Sequence, residues 1–122
     1  MKDNVSGIDH IHFIVVDLKK SISFFEMLGL ELIKHTGHGG KSSFMRIPSS
    51  DAILEIQEAR VNENPGLAHI AFQVEKLEPL VELLEDKGIS VDGPVFNKFT
   101  ERNLATVRDP DGFLWQFVEK ED

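Results

Sequence analysis

The sequence predicts an α+β fold assembled from two copies of one βαβββ unit, and three observations carry that expectation. The first is self-similarity: HIHFIVVDLKKSISFFEMLGLEL returns as HIAFQVEKLEPLVELLEDKGISV at an offset of 59 residues, placing His10 on His69, Ile11 on Ile70, Phe13 on Phe72, Val15 on Val74 and Leu18 on Leu77. The second is a change of period inside the copy, from alternation over residues 10–16 to helical spacing at Leu18, Ile22, Phe25 and Leu28. The third is punctuation: Gly29 and Gly88 close the two helical stretches, while GHGGK, PSSD, NENPG and DPDG cut the remainder into short apolar runs.

The elements follow in order from these signals. Residues 10–16 read as a strand whose side chains point alternately to its two faces, and Asp17 ends it. A helix over 18–28 follows, with Gly29 at the position just past its end. Strands are expected over 30–35, 43–47 and 52–57, separated by a flexible GHGGK turn and by PSSD. After NENPG the second half repeats the plan as strand 67–74, helix 77–87 and strands near 90–96, 103–108 and 113–118, with DPDG a strong turn signal. The modules 8–59 and 67–120 would make one domain, 1–122, as curved mixed sheets with a helix outside each.

Composition narrows the function. The chain of 122 residues has no cysteine, which removes disulfides, thiolate nucleophiles and Cys-based zinc sites, so any metal must be held by nitrogen and oxygen. The net charge of −8, without a basic stripe, argues against nucleic acid or an anionic membrane surface. MKDNVSG lacks the apolar core of a signal peptide and no run is long enough to cross a bilayer, so a cytoplasmic protein is expected. Small molecules and copies of itself are the expected partners.

The repeat divides the histidines of HIHFIVVDL. His10 has a counterpart in His69, whereas His12 falls on Ala71, so only the first belongs to the repeated plan. The last strands align in the same way, LEI over WQF, which puts Glu55 on Gln116 at an offset of 61. Each half thus offers a histidine from its first strand and an acid or amide from its fourth, amid apolar strand neighbours. A buried carboxylate is costly unless paired or coordinated. A lone strand-end histidine is ordinarily a hydrogen-bonded core or rim residue, but four such groups at equivalent points of a duplicated structure can converge on one ion. His12 is then expected to line the pocket, with His35 and His38 in a solvated loop. Arg102 and Asn103, near Lys98 and Arg108, can meet a substrate carboxylate or phosphate, although a solvated charge is the simpler reading of each.

DHIHFIVVDLKKSISFFEMLGLEL, LAHIAFQV and DPDGFLWQFVE together resemble the vicinal oxygen chelate superfamily, which includes glyoxalases, bleomycin resistance proteins and extradiol dioxygenases. The resemblance covers almost the whole chain and implies two βαβββ modules around a central cavity. It also implies metal ligands at His10, Glu55 and His69, with Gln116 in the last ligand place, where the commonest pattern has glutamate. An amide can ligate through its oxygen but cannot act as a base. The implied cofactor is a divalent ion: Ni, Zn, Mn, Fe or Co. The implied activity is that of a metal-dependent lyase or isomerase resembling glyoxalase I, stabilising an enediolate by chelating vicinal oxygens, with Glu55 as the proton-moving residue and His12, Arg102 and Asn103 toward the substrate. A metal-free drug-binding protein of the bleomycin-resistance type and a ring-cleaving dioxygenase-like member are the alternatives. Family members with one module pair commonly form homodimers, and this is expected here.

Overall fold

The computed structural model describes residues 5–50 and 52–120. The first half runs β1 (Val5–Val15), α1 (Leu18–Met27), β2 (Glu31–Gly37), a 3-10 turn at His38–Gly40, β3 (Ser42–Ile47) and β4 (Ala52–Glu58). The second runs β5 (Gly66–Val74), α2 (Leu77–Asp86), β6 (Asp92–Asn97), β7 (Arg102–Arg108) and β8 (Leu114–Glu119). Both are βαβββ units, as the repeat predicts. The chain divides into two compact units, residues 10–68 and residues 69–120 with 5–9.

Within the first unit the sheet order is β2-β3-β4-β1, and within the second β5-β8-β7-β6. In each, the first strand is parallel to the last, and the remaining pairs are antiparallel. The parallel registers coincide under the repeat: His12 pairs with Glu55, and Ala71 with Gln116. β1 begins at Val5 rather than at residue 10, five residues ahead of its apolar run. Ser6 Oγ donates to the Gln73 carbonyl at 3.2 Å.

Each helix covers one face of its own sheet. In the first unit Leu18, Met45 and Ile56 are buried with Val15, Ile22, Phe25, Leu30 and Leu54 around them. In the second, Leu77, Leu80 and Val81 of α2 close on Val74, Ala105 and Phe117. Phe117 therefore packs under a helix, and Trp115 stacks on Phe72 with ring centroids 5.1 Å apart. Both helices end in the same way. The amides of Gly29 and Leu30 donate to the carbonyls of Glu26 and Phe25, and those of Gly88 and Ile89 to Glu85 and Leu84. Both glycines sit at positive φ, +100° and +82°, where an L side chain is strained.

Two carboxylates tie loops to these elements. Glu58, at the end of β4, accepts the Leu18 amide at 3.1 Å, satisfying one of the open N–H groups at the start of α1, while Asp17 accepts that of Lys20. Asp109 holds the DPDG turn: Oδ1 accepts the amides of Asp111 and Phe113, and Oδ2 the Trp115 indole N–H, each at 2.9 Å. The Leu18 amide, then Lys41, lowers the Glu58 pKa, and the Trp115 indole lowers that of Asp109. With folded values below unfolded ones, each carboxylate stabilises the fold above its ordinary value, 4.5 for Glu58 and 3.8 for Asp109. That contribution disappears as pH falls through the depressed folded value. The melting temperature is accordingly expected to hold steady down to about pH 5 and then fall, and Asp109→Ala, less stable at neutral pH, to lose less on acidification. Circular dichroism melts across that range would show equal acid losses if the Asp109 bonds contributed nothing.

Candidate metal and catalytic site

The sheet face of the first unit opposite α1 carries a buried polar cluster among Ile14 and Phe44. Alternation puts His10 and His12 of β1 on this face with Glu55 and Gln57 of β4. From β3 come Phe44 and Ser42, facing Glu55 and Gln57 across the antiparallel pair. His10, His12, Thr36, Ser42, Glu55 and Gln57 are all buried. Beside its apolar cross-strand neighbour Phe44, Glu55 meets two imidazoles and a hydroxyl, which compensate a buried carboxylate where alkyl groups would not.

Glu55 is the centre of this group. Its Oε1 stands 3.6 Å from His10 Nε2 and 3.6 Å from His12 Nδ1. Its Oε2 accepts a hydrogen bond from Thr36 Oγ1 at 2.9 Å, and Thr36 Oγ1 is 2.5 Å from Ser42 Oγ. His12 Nε2 meets Gln57 Oε1 at 2.9 Å. The His10 ring tilts against Phe44 at 5.7 Å between centroids, fixing one edge of the imidazole against an aromatic wall.

In the second unit, His69 lies on β5 two residues before Ala71, the strand partner of Gln116. His10 lies likewise two residues before His12, the partner of Glu55. His69 and Gln116 thus share one sheet face by the same register, both half-buried. Among the described residues no group of three or more His, Cys, Asp or Glu could hold a metal ion as placed. Each module instead offers a pair of donors. Their chemistry suits a divalent ion, and two donors on one tetrahedral centre stand about 3.4 Å apart, close to the His10–Glu55 spacing.

The remaining predicted residues fall elsewhere. Arg102 donates from both outer nitrogens to Asp9, at 2.7 and 2.6 Å, so its fork is engaged within the protein. Asn103 donates to Glu119 at 3.3 Å on the surface. His35 is on β2 rather than in a loop, its Nδ1 2.7 Å from Ser43 Oγ, because GHGGK closes a tight β2–β3 connection. The His38 side chain lies outside the described residues.

The model of the Glyoxalase/Bleomycin resistance protein/Dioxygenase superfamily matches residues 7–117. The chain belongs to this superfamily. Its fold is glyoxalase/bleomycin-resistance-like: it is similar to methylmalonyl-CoA epimerase from Mycobacterium tuberculosis, 19% identical with a TM-score of 0.85, over 100% of this chain and 93% of that one. It also resembles a variant of homoprotocatechuate 2,3-dioxygenase from B. fuscum, 16% identical with a TM-score of 0.75, where 97% of this superfamily member covers 34% of that chain. A Bacillus subtilis (strain 168) protein, the uncharacterized YwkD, is 26% identical over 95% of this chain and 98% of its own length. No helix among the described residues is long and apolar enough to cross a membrane.

Proposed function

We propose that this protein is a divalent-metal-dependent isomerase or lyase that moves a proton at a carbon next to a carbonyl. Its ligands are His10, Glu55, His69 and Gln116. One observation carries the reading: a buried carboxylate, Glu55, stands 3.6 Å from His10 Nε2 at the register place that Gln116 holds in the second half. When bound, a divalent ion supplies Lewis acidity toward substrate oxygens and lowers the cost of negative charge developing there. Of the four ligands, only Glu55 carries a carboxylate, which assigns the base role to it, since the Gln116 amide takes up no proton. His12 faces Glu55 and is tethered by Gln57, which suits it to lining the site.

The likeness to an epimerase supports widening the reading from the glyoxalase I type to epimerases of acyl-CoA thioesters, and the likeness to about a third of a dioxygenase chain gives ring cleavage less support. Hemithioacetals and 2-substituted acyl-CoA thioesters are therefore the substrates to offer metal-loaded protein in D2O. Deuterium entering at the carbon beside the carbonyl, followed by NMR and lost in Glu55→Gln, is expected. No exchange with either class would overturn the reading.

We also read the protein as a homodimer. β6 ends the order of its unit's sheet and exposes Val95 and Phe96, an edge that invites a partner. Light scattering at micromolar concentration should give twice the 13.8 kDa chain mass, and a value for one chain would contradict it.

A further inference from the structure

A carboxylate that serves as a metal ligand must keep one oxygen aimed at the ion, and side-chain rotation of glutamate works against that. Glu55 has its second oxygen anchored. Thr36 and Ser42 are 4% and 0% exposed, and nothing in the proposed reaction uses either hydroxyl. Yet they lie in series behind Glu55: Thr36 Oγ1 is 2.9 Å from Glu55 Oε2, Ser42 Oγ is 2.5 Å from Thr36 Oγ1, and Ser42 Oγ is 3.1 Å from the Gly37 carbonyl. Each hydroxyl has a single proton. The Thr36 hydroxyl donates to Oε2, and that bond uses its one proton. The contact with Ser42 is then made by the Ser42 proton, shared between Thr36 Oγ1 and the Gly37 carbonyl. The direction of the chain is thereby set, from Ser42 to Thr36 to Glu55.

We propose that Thr36 is a positioning residue for Glu55: its hydroxyl, backed by Ser42, holds Oε2 so that Oε1 stays turned toward His10 as the metal-binding oxygen. This rests on the ligand assignment proposed above. The hairpin supplies the rigidity. The tight turn at His38–Gly40 brings β2 back alongside β3, where Ser42 pairs with Gly37 and the Thr36 hydroxyl, at the register shift beside it, meets that of Ser42, and a glutamate anchored at one oxygen loses the rotamers that would swing the other away.

The test compares wild-type protein with Thr36→Val, Thr36→Ala and Thr36→Ser by Co(II) titration, following the visible absorption of the bound ion, alongside thermal melts without metal. Thr36→Val and Thr36→Ala, of which either suffices if the other does not fold, are expected to weaken Co(II) binding by about 10- to 100-fold and to change the band positions. Thr36→Ser, which keeps the hydroxyl, is expected to restore both. A purely structural role would lower the melting temperature and leave the absorption spectrum of the bound ion unchanged. Wild-type affinity and spectrum in folded Thr36→Val or Thr36→Ala would overturn the positioning role alone, and wild-type protein that binds no Co(II) would overturn it together with the ligand assignment.

Discussion

Alanine at His69 is expected to remove stoichiometric metal and, with it, proton exchange on any substrate. His69 is the second unit's copy of His10, set two residues before the partner of Gln116 on the same strand face. Its loss would leave one imidazole, one carboxylate and one weakly donating amide. Deleting a direct nitrogen ligand should cost more than about 100-fold in metal affinity, the upper end of the loss when a merely supporting partner is removed. Equilibrium dialysis against Ni, Co or Zn would measure it. Unchanged metal content would show that the second unit contributes no ligand through His69.

The second large effect concerns stability. Breaking the Asp9–Arg102 pair from one side should destabilise the protein by about 3–5 kcal/mol, because it takes the two-bonded partner away from a charge that is largely removed from solvent. The Arg102 side chain is 16% exposed and that of Asp9 9%, and the two parallel bonds have the fork geometry that makes such pairs strong. Arg102→Ala or Asp9→Ala should each show this loss in urea unfolding. The double substitution Asp9→Leu with Arg102→Met should recover much of it, since a matched apolar pair leaves no buried charge. A loss below about 1 kcal/mol in both single variants would place the pair with ordinary surface ion pairs.

The fold was legible because it is written twice. Coinciding apolar positions at Leu18 and Leu77, glycines at both helix ends, and the offset that superposes Glu55 on Gln116 all reduce to local periodicity and turn chemistry. They reappear in the matching parallel registers and the matching helix ends. The pairing of His10 with Glu55 was legible for the same reason. Gln57 carried a signal too, lying two residues from Glu55 on one strand face, where it meets His12.

Thr36 was hidden by a break in that alternation. The β2–β3 register shifts between Leu32 and Lys34 and again between His35 and Gly37, so counting by twos along β2 does not show which side chains share the face of Glu55. Arg102 was hidden by distance. In the sequence it reads as a solvated or substrate-facing charge at a strand start, and its partner, Asp9, belongs to a stretch with no periodic signal 93 residues earlier.

The central claim is that the duplicated histidine and acid-or-amide positions hold a divalent ion. Inductively coupled plasma mass spectrometry tests it most directly, on untagged protein before and after addition of Ni, Mn, Fe, Co or Zn, with His10→Ala in parallel. Close to one metal per chain in the wild type, lost in His10→Ala, is the expected result. Wild-type protein that takes up none of the five metals, or His10→Ala that keeps the full amount, would contradict it.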